Sequence, residues 1–333
     1  MSLLFINENG AVVGLEESRC VVRYSDGMQR LIPIENLESI TIMGNVQITT
    51  QCVKECLTKG ITISYFSKGG TYFGRLHSTG HVNTRRQRKQ CELYEKDFSI
   101  EFSKRVIKSK LKNQGVVLRR YEKSKNIPVS DSLKMIEICR SKIETCCTIP
   151  ELMGYEGQGA KAYFGGLSKV IKPEFKFSGR NKRPPRDEFN SMISLGYSII
   201  LNEIYGVIES KVLNPYFGFM HRDKEKHPTL ASDMMEEWRA VIVDSTVMSM
   251  INGNEIQKED FLMNIEEPGC FLTKNGIKLF LDKLEKKLQT EIRYLDYVDY
   301  PVSFRRGISL QVEKLAEAVE AGDASIYRPI EIR

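Results

Sequence analysis

The stretch HRDKEKHPTLASDMMEEWRAVIVD, His221–Asp244, joins a charged loop to a predicted helix. The pair His227-Pro228 closes the loop, because proline is tolerated in a first helical turn but not deeper in a helix. From Leu230 onward the residues favour a helix. The stretch is therefore predicted to place an imidazole in the loop that precedes a helix.

Four acidic residues lie along that predicted helix. Asp233, Glu236 and Glu237 stand at i, i+3 and i+4, and Asp244 returns near the same face three turns after Asp233. Like charges at this spacing repel, which weakens an isolated helix by roughly 0.3 kcal/mol per pair. A divalent cation would remove that repulsion, and carboxylates with one imidazole suit Mg²⁺ or Mn²⁺ better than a soft metal. A solvated acidic face with Arg239 as a neighbour explains the pattern equally well.

Length and composition describe a soluble globular protein. With 333 residues, of which 41% are apolar and 28% charged, two domains are favoured over one. No apolar run approaches the roughly 20 residues that span a bilayer, and the start MSLLFINENG lacks the features of a signal peptide. The eight cysteines have no zinc-site spacing, so we expect free thiols in the reducing cytoplasm and no contact with a membrane.

The net charge of +6 is distributed unevenly along the chain. Basic residues dominate 80–125 and 169–186, whereas 187–333 carries more acidic than basic residues. Basic segments beside an acidic C-terminal half favour a polyanion held over a metal site.

The predicted fold class is α+β with more than one domain. Residues 1–80 contain short β-branched runs with hairpin signals at Asn-Gly and Asp-Gly, ending at Gly10 and Gly27, and predict a small β-rich domain for assembly or DNA contact. A basic linker is expected at 81–95. Residues 96–333 have helical spacing throughout and predict a larger all-α C-terminal domain.

Three glycines surround one glutamate in a helical context. Gly154, Gly157 and Gly159 flank Glu156 and each costs a helix roughly 1 kcal/mol relative to alanine. Close approach of another backbone or of a ligand to Glu156 would require them, and so would helix packing.

Three motifs in this order resemble the Cas1 family, the CRISPR-associated endonuclease and integrase that acquires spacers. They are GYEGQGAKAYF at 154–164, NKRPPRDEFN at 181–190, and GFMH at 218–221 with LASDMMEEWR at 230–239. The resemblance covers essentially the whole chain and favours the metal site over the solvated face. Small departures from the family pattern fall at Met220, His227, Thr229 and Trp238.

The resemblance implies a set of metal ligands. A divalent cation, Mg²⁺ or Mn²⁺, would be bound by Glu156, His221 and Glu236, and these residues would be catalytic. Asp233 is a supporting or alternative ligand. His227 is a possible competitor, although a phosphate or solvent contact suits it better.

The resemblance also implies a reaction and partners. The expected function is DNA cleavage by water, and spacer integration by attack of a 3′-OH on a phosphodiester at a repeat boundary. The expected partners are double-stranded and branched DNA, prespacer and CRISPR repeat DNA, a second copy of the chain in a homodimer, and a smaller adaptation protein. A non-catalytic DNA-binding assembly protein and a general nuclease of branched DNA are the alternatives.

Five arginines in the basic segments are candidate DNA contacts. Arg85, Arg86 and Arg88 lie in the expected linker, where a solvated hinge is the simpler interpretation, and Arg183 and Arg186 lie in the proline-containing loop. Contacts of this kind with phosphates position DNA and carry little sequence information.

Replacing Arg183 and Arg186 together should weaken binding of all duplex sequences to a similar degree. Each phosphate contact contributes about −0.9 to the slope of log affinity against log salt, so the magnitude of that slope should fall by about two. Duplex binding titrations at several salt concentrations measure the slope. An unchanged slope would show that this loop faces away from DNA.

Overall fold

The computed structural model describes residues 2–68, 72–76, 78, 83–182, 184–264 and 269–333. The chain divides into two compact units, Met1–Val82 and Asn83–Arg333. Strands dominate the first unit and helices the second, which confirms the predicted fold class.

Among its described residues, the first unit contains two four-stranded sheets and one α-helix. The order is β1-β5-β7-β8 in one sheet and β4-β3-β2-β6 in the other. The strands are β1 (Ser2–Ile6), β2 (Val12–Glu16), β3 (Arg19–Arg23), β4 (Gln29–Pro33), β5 (Leu37–Met43), β6 (Gln47–Ile48), β7 (Thr62–Phe66) and β8 (Tyr72–Leu76), and the helix is α1 (Thr50–Thr58).

Both sheets of this unit are mixed. The pairs β1–β5, β5–β7 and β2–β6 are parallel, whereas β7–β8, β2–β3 and β3–β4 are antiparallel. Alternating side chains of the strands form a buried aliphatic core together with Cys52 and Cys56 of α1.

The second unit contains nine helices and two short hairpins among the residues described. The helices are α2 (Thr84–Glu92), α3 (Asp97–Lys125), α4 (Ser130–Lys142), α5 (Ile149–Val170), α6 (Glu188–Ser210), α7 (Thr229–Met235), α8 (Ser245–Asn252), α9 (Lys274–Gln289) and α10 (Phe304–Ala321). The hairpins pair β9 (Phe261–Asn264) with β10 (Gly269–Leu272), and β11 (Glu291–Ile292) with β12 (Val302–Ser303). The predicted all-α domain thus carries a few strands as well.

The segment expected as a basic linker contains helix α2. Gln90 is buried, its amide donates to the carbonyl of Asn214 at 2.9 Å, and its carbonyl accepts from the Asn214 N–H at 2.8 Å. Arg86 forms an ion pair with Glu320 of α10. The basic composition of this segment favoured a solvated hinge. Instead, the buried Gln90 and the paired Arg86 attach it to the helical unit.

Helix α6 comes closer to a membrane-spanning composition than the sequence analysis expected. Within the ranges described, it alone is long and apolar enough to cross a membrane by length and composition. Half of its apolar stretch is buried inside the protein. Its buried side chains, which include Ile193 and Ile200, make it a core helix of this unit.

The glycines of α5 serve different purposes. A Cβ at Gly159 would lie 2.4 Å from Cδ2 of the buried Leu111, so packing of α5 against α3 requires this glycine. A Cβ at Gly154 or Gly157 would meet no atom within 4 Å. Helix packing therefore explains Gly159, whereas the two glycines beside Glu156 face open space.

Alanine substitutions at two of these positions should have opposite effects on stability. Gly157→Ala should raise the free energy of unfolding by about 1 kcal/mol, because alanine favours the helix and its methyl group meets nothing. Gly159→Ala should lower it by about 1 kcal/mol, because overpacking against Leu111 outweighs the gain in helix propensity. Urea unfolding of both variants measures the difference, and equal effects would contradict the packing argument.

Candidate active site

The carboxylate of Asp233 holds the chain immediately before the predicted loop. It is fully buried, and its Oδ2 accepts hydrogen bonds from the N–H groups of Phe219 and Met220 at 2.7 and 3.0 Å. Its Oδ1 accepts from the His221 N–H at 3.0 Å and lies 2.6 Å from His221 Nδ1. Both oxygens are therefore occupied, which favours a supporting role for Asp233 over direct metal ligation.

The contact with Asp233 determines which nitrogen His221 presents. With Nδ1 bound to Asp233, Nε2 points toward Glu236 and lies 3.9 Å from its Oε1. Burial opposes a charged imidazole, but the hydrogen bond and charge of Asp233 outweigh it and raise the pKa of His221. Glycine is required at Gly218, where a Cβ would lie 2.8 Å from Asp233 Oδ2.

Glu156 and Glu236 meet at the ammonium group of a lysine. Lys110 of α3 donates to Glu156 Oε1 and, at 2.5 Å, to Glu236 Oε2. Arg239 approaches the other oxygen of Glu236 at 3.1 Å. Burial alone would raise the pKa of Glu236, but the charges of Arg239 and Lys110 lower it to about 2. Three separate segments of the helical unit thus converge on one cluster of charges.

The prediction that the acidic residues share a single helix face is wrong. Helix α7 ends at Met235, and a π-helix spans Arg239–Asp244 before α8 begins. Because a π-turn holds more residues than an α-turn, it rotates later side chains away from the extrapolated face. The carboxylates are also buried, which excludes the solvated acidic face.

Glu237 and Asp244 lie in surroundings different from those of Glu236. Glu237 accepts hydrogen bonds from the Tyr327 hydroxyl and, at 2.7 Å, from the Ile330 N–H. Asp244 accepts from the Tyr197 hydroxyl at 2.5 Å. Burial raises the pKa of Glu237 to about 7 and that of Asp244 to about 6.

The donor set of Glu156, His221 and Glu236 fits a hard divalent cation. Two carboxylates share one cationic group, and the Nε2 atom of an imidazole lies near one of them. Within the part of the chain that the structure describes, no three acidic, histidine or cysteine side chains are already closed around a metal position. Instead, the ammonium of Lys110 lies between the carboxylates.

The remaining predicted site residues are placed as follows. His227 Nε2 lies 3.0 Å from the hydroxyl of Ser232, which gives it a local partner on α7. The guanidinium of Arg86 is bound to Glu320. Arg183 lies outside the described residues. The three other candidate DNA contacts are exposed, namely Arg85, Arg88 and Arg186.

Lys110 was missed by the sequence analysis, although its position carried a signal. It lies four residues after Val106 and three after Ile107, on the buried side of α3. A lysine in register with apolar positions is rarely buried unless a charge partner is present. The partners, Glu156 and Glu236, are remote in sequence, so spacing could not identify them.

A family model described as CRISPR associated protein Cas1 matches residues 4–286 of the chain. The CRISPR-associated endonuclease Cas1 of Mycobacterium tuberculosis is 32% identical over 333 residues, which is all of this chain and 98% of that protein.

Two solved structures are similar to the chain in fold. A casposase bound to an integration product superposes with a TM-score of 0.85 at 22% identity, covering 98% of this chain and 93% of that one. A chain of a Cas6-RT-Cas1–Cas2 complex superposes with a TM-score of 0.83 at 20% identity, covering 98% of this chain and 36% of that longer one.

Glu237→Gln should remove part of the pH dependence of stability. The pKa of Glu237 is raised by folding from 4.5 to about 7, so the folded protein holds this proton more tightly than the unfolded chain. Its contribution is therefore fully present below about pH 4.5 and is lost as the pH rises to about 7, by roughly 3 kcal/mol. Urea unfolding at pH 5 and 7.5 should show a smaller fall for Glu237→Gln than for the unmodified protein. An equal fall in both proteins would contradict this assignment.

Proposed function

The chain belongs to the Cas1 family, and we propose that it is a divalent-metal-dependent DNA endonuclease and integrase that inserts new spacers at CRISPR repeat boundaries. The observation that supports this most directly is the convergence of Glu156 and Glu236 on one cation position, with His221 Nε2 3.9 Å from the other oxygen of Glu236. Two carboxylates with one imidazole beside them suit a hard divalent cation such as Mg²⁺ or Mn²⁺, which can serve phosphodiester chemistry.

In this proposal Glu156, His221 and Glu236 hold the cation, and the surrounding residues keep them in place. The chemistry supplied there by Mg²⁺ or Mn²⁺ is Lewis-acid stabilisation of charge on the scissile phosphate. Asp233 fixes the tautomer and direction of His221, which leaves Nε2 available. Arg239, held over the ring of Tyr197 at 4.6 Å, supplies a fixed positive charge beside Glu236.

Cleavage and integration differ in the attacking oxygen and share these residues. In cleavage, a water oxygen forms the new bond to phosphorus and the 3′ oxygen leaves with the bonding electrons. In integration, the 3′-OH of a captured DNA end forms that bond at a repeat boundary, and the 3′ oxygen of the attacked strand leaves with the bonding electrons. Both are displacements at phosphorus, in which positioning and charge stabilisation dominate catalysis.

The proposed partners follow from the reaction. Insertion at the two boundaries of a repeat needs two active sites, for which we propose a homodimer joined by a smaller adaptation protein. Two structural neighbours, a casposase bound to an integration product and a Cas6-RT-Cas1–Cas2 complex, support DNA and a Cas2-like protein as partners. Prespacer, branched and repeat DNA are the proposed substrates. The eight free thiols fit a reducing cytoplasm.

The proposed DNA contacts are the exposed arginines and the proline-containing loop. Arg85, Arg88 and Arg186 are exposed and can reach phosphates. Arg86 would have to leave Glu320 first, so we expect it to contribute less. These contacts would position DNA over the carboxylates without reading its sequence.

Glu156→Gln, His221→Ala and Glu236→Gln should each reduce Mn²⁺-dependent cleavage and strand transfer on the order of 100-fold or more, because each removes a ligand. A supercoiled plasmid carrying a CRISPR repeat, with the smaller partner present, reports both activities. The control is Glu137→Gln on α4, whose carboxylate pairs with Arg140 away from the site.

Wild-type strand transfer by any of the three variants at saturating Mn²⁺ would refute the ligand set. Cleavage of branched DNA without strand transfer into the plasmid would favour the general branched-DNA nuclease. DNA binding with no metal-dependent reaction would favour the non-catalytic assembly protein.

A further inference from the structure

The cluster around Glu156 and Glu236 contains a cation supplied by the chain itself. The side chain of Lys110 is 7% exposed, and its ammonium donates to one oxygen of each carboxylate. The carboxylates are themselves 15% and 6% exposed. An ammonium and two carboxylates are therefore withdrawn from solvent together.

The position of Lys110 in α3 makes this arrangement specific. Its helical neighbours Val106, Ile107 and Leu111 are fully buried, so the lysine stem leaves the helix on its core side. An ammonium buried there is unfavourable unless carboxylates compensate it. The contacts with Glu156 and Glu236 supply that compensation.

The space between the carboxylates can hold only one cation. The ammonium nitrogen lies 2.5 Å from Glu236 Oε2, and Mg²⁺ binds such oxygens at about 2.1 Å. A divalent ion sharing these oxygens with the ammonium would stand close to it and be repelled. Arg239 takes no part in this pair of contacts, because it approaches the other oxygen of Glu236.

We propose that Lys110 is a built-in counter-ion of the metal site, which holds Glu156 and Glu236 together in the metal-free protein and must leave them when a divalent cation binds. This inference rests on the proposed metal site. Lys110 is thus a positioning residue that keeps two mutually repelling carboxylates in place and sets their affinity for metal. The same contact lowers that affinity, because the cation must displace an ammonium that is already paired.

The first test removes the ammonium and measures metal binding directly. Lys110→Met keeps most of the length of the stem and deletes the charge. In calorimetric titration of the full chain, its Kd for Mn²⁺ should fall about tenfold or more, because no internal cation competes. Without metal the variant should melt at a lower temperature, and Mn²⁺ should raise its melting temperature by more than it raises that of the unmodified protein.

A matched control lies on the same helix. Lys104 also pairs with a carboxylate, that of Glu101 at 2.9 Å, but takes no part in the cluster. Lys104→Met should leave the Kd for Mn²⁺ and the metal-induced rise in melting temperature unchanged. A similar change in both variants would reflect the overall charge of the protein and would overturn the specific role of Lys110.

A second measurement uses the unmodified protein and does not depend on the variant folding. An amine-acetylating reagent with mass-spectrometric detection reports how accessible each lysine is. Lys110 should react slowly in the metal-free protein and faster at saturating Mg²⁺, whereas Lys104 should react at the same rate in both. Equal protection of Lys110 with and without Mg²⁺ would show that the ammonium stays in place and would overturn the inference.

The outcomes separate this inference from the proposed function. Mn²⁺ binding to the unmodified protein with unchanged or weaker binding to a folded Lys110→Met would refute the counter-ion and leave the metal site standing. Absence of Mn²⁺ binding by the unmodified protein would refute the metal site, and the counter-ion with it.

Discussion

The helical unit depends at its centre on one fully buried carboxylate, that of Asp233. A buried carboxylate must have both oxygens satisfied, and here the donors come from three consecutive backbone N–H groups and one imidazole. The backbone depends on the carboxylate in turn, because three N–H groups that point in one direction need an anion as their hydrogen-bond acceptor. The direction of His221 is a consequence of this contact. A single change of rotamer at Asp233 would release both the backbone and the imidazole of His221.

Two adjacent glutamates that follow α7 have opposite surroundings, because neighbouring residues on a helical turn point in different directions. Glu236 faces Lys110 and Arg239, and these charges lower its pKa to about 2. Glu237 faces the hydroxyl of Tyr327 and the backbone N–H of Ile330, which do not offset its burial, so its pKa rises to about 7. One glutamate therefore supplies a permanent charge to the site, and the next fastens the C-terminal segment to the core.

Charge balance explains how the site can be formed before any metal is bound. Glu156 and Glu236 would repel each other in a poorly solvated pocket, and the ammonium of Lys110 compensates both of them. Pre-positioned ligands bind a cation without a large rearrangement of the backbone, which suits the proposed metal site. In the proposed arrangement the protein's own cations and the metal would act on the same oxygens.

The sequence by itself determined the order of the two units, the candidate ligands and the basic segments, because composition, periodicity and motif order are local properties of the chain. It could not determine which carboxylates meet. A helical face extrapolated from Asp233 to Asp244 assumes uninterrupted α-helical winding, and the π-helix at Arg239–Asp244 breaks that assumption. Only the tertiary structure brought Lys110 between Glu156 and Glu236. Contacts among three distant segments arise from the packing of α3, α5 and α7, and residue spacing along the chain cannot predict them.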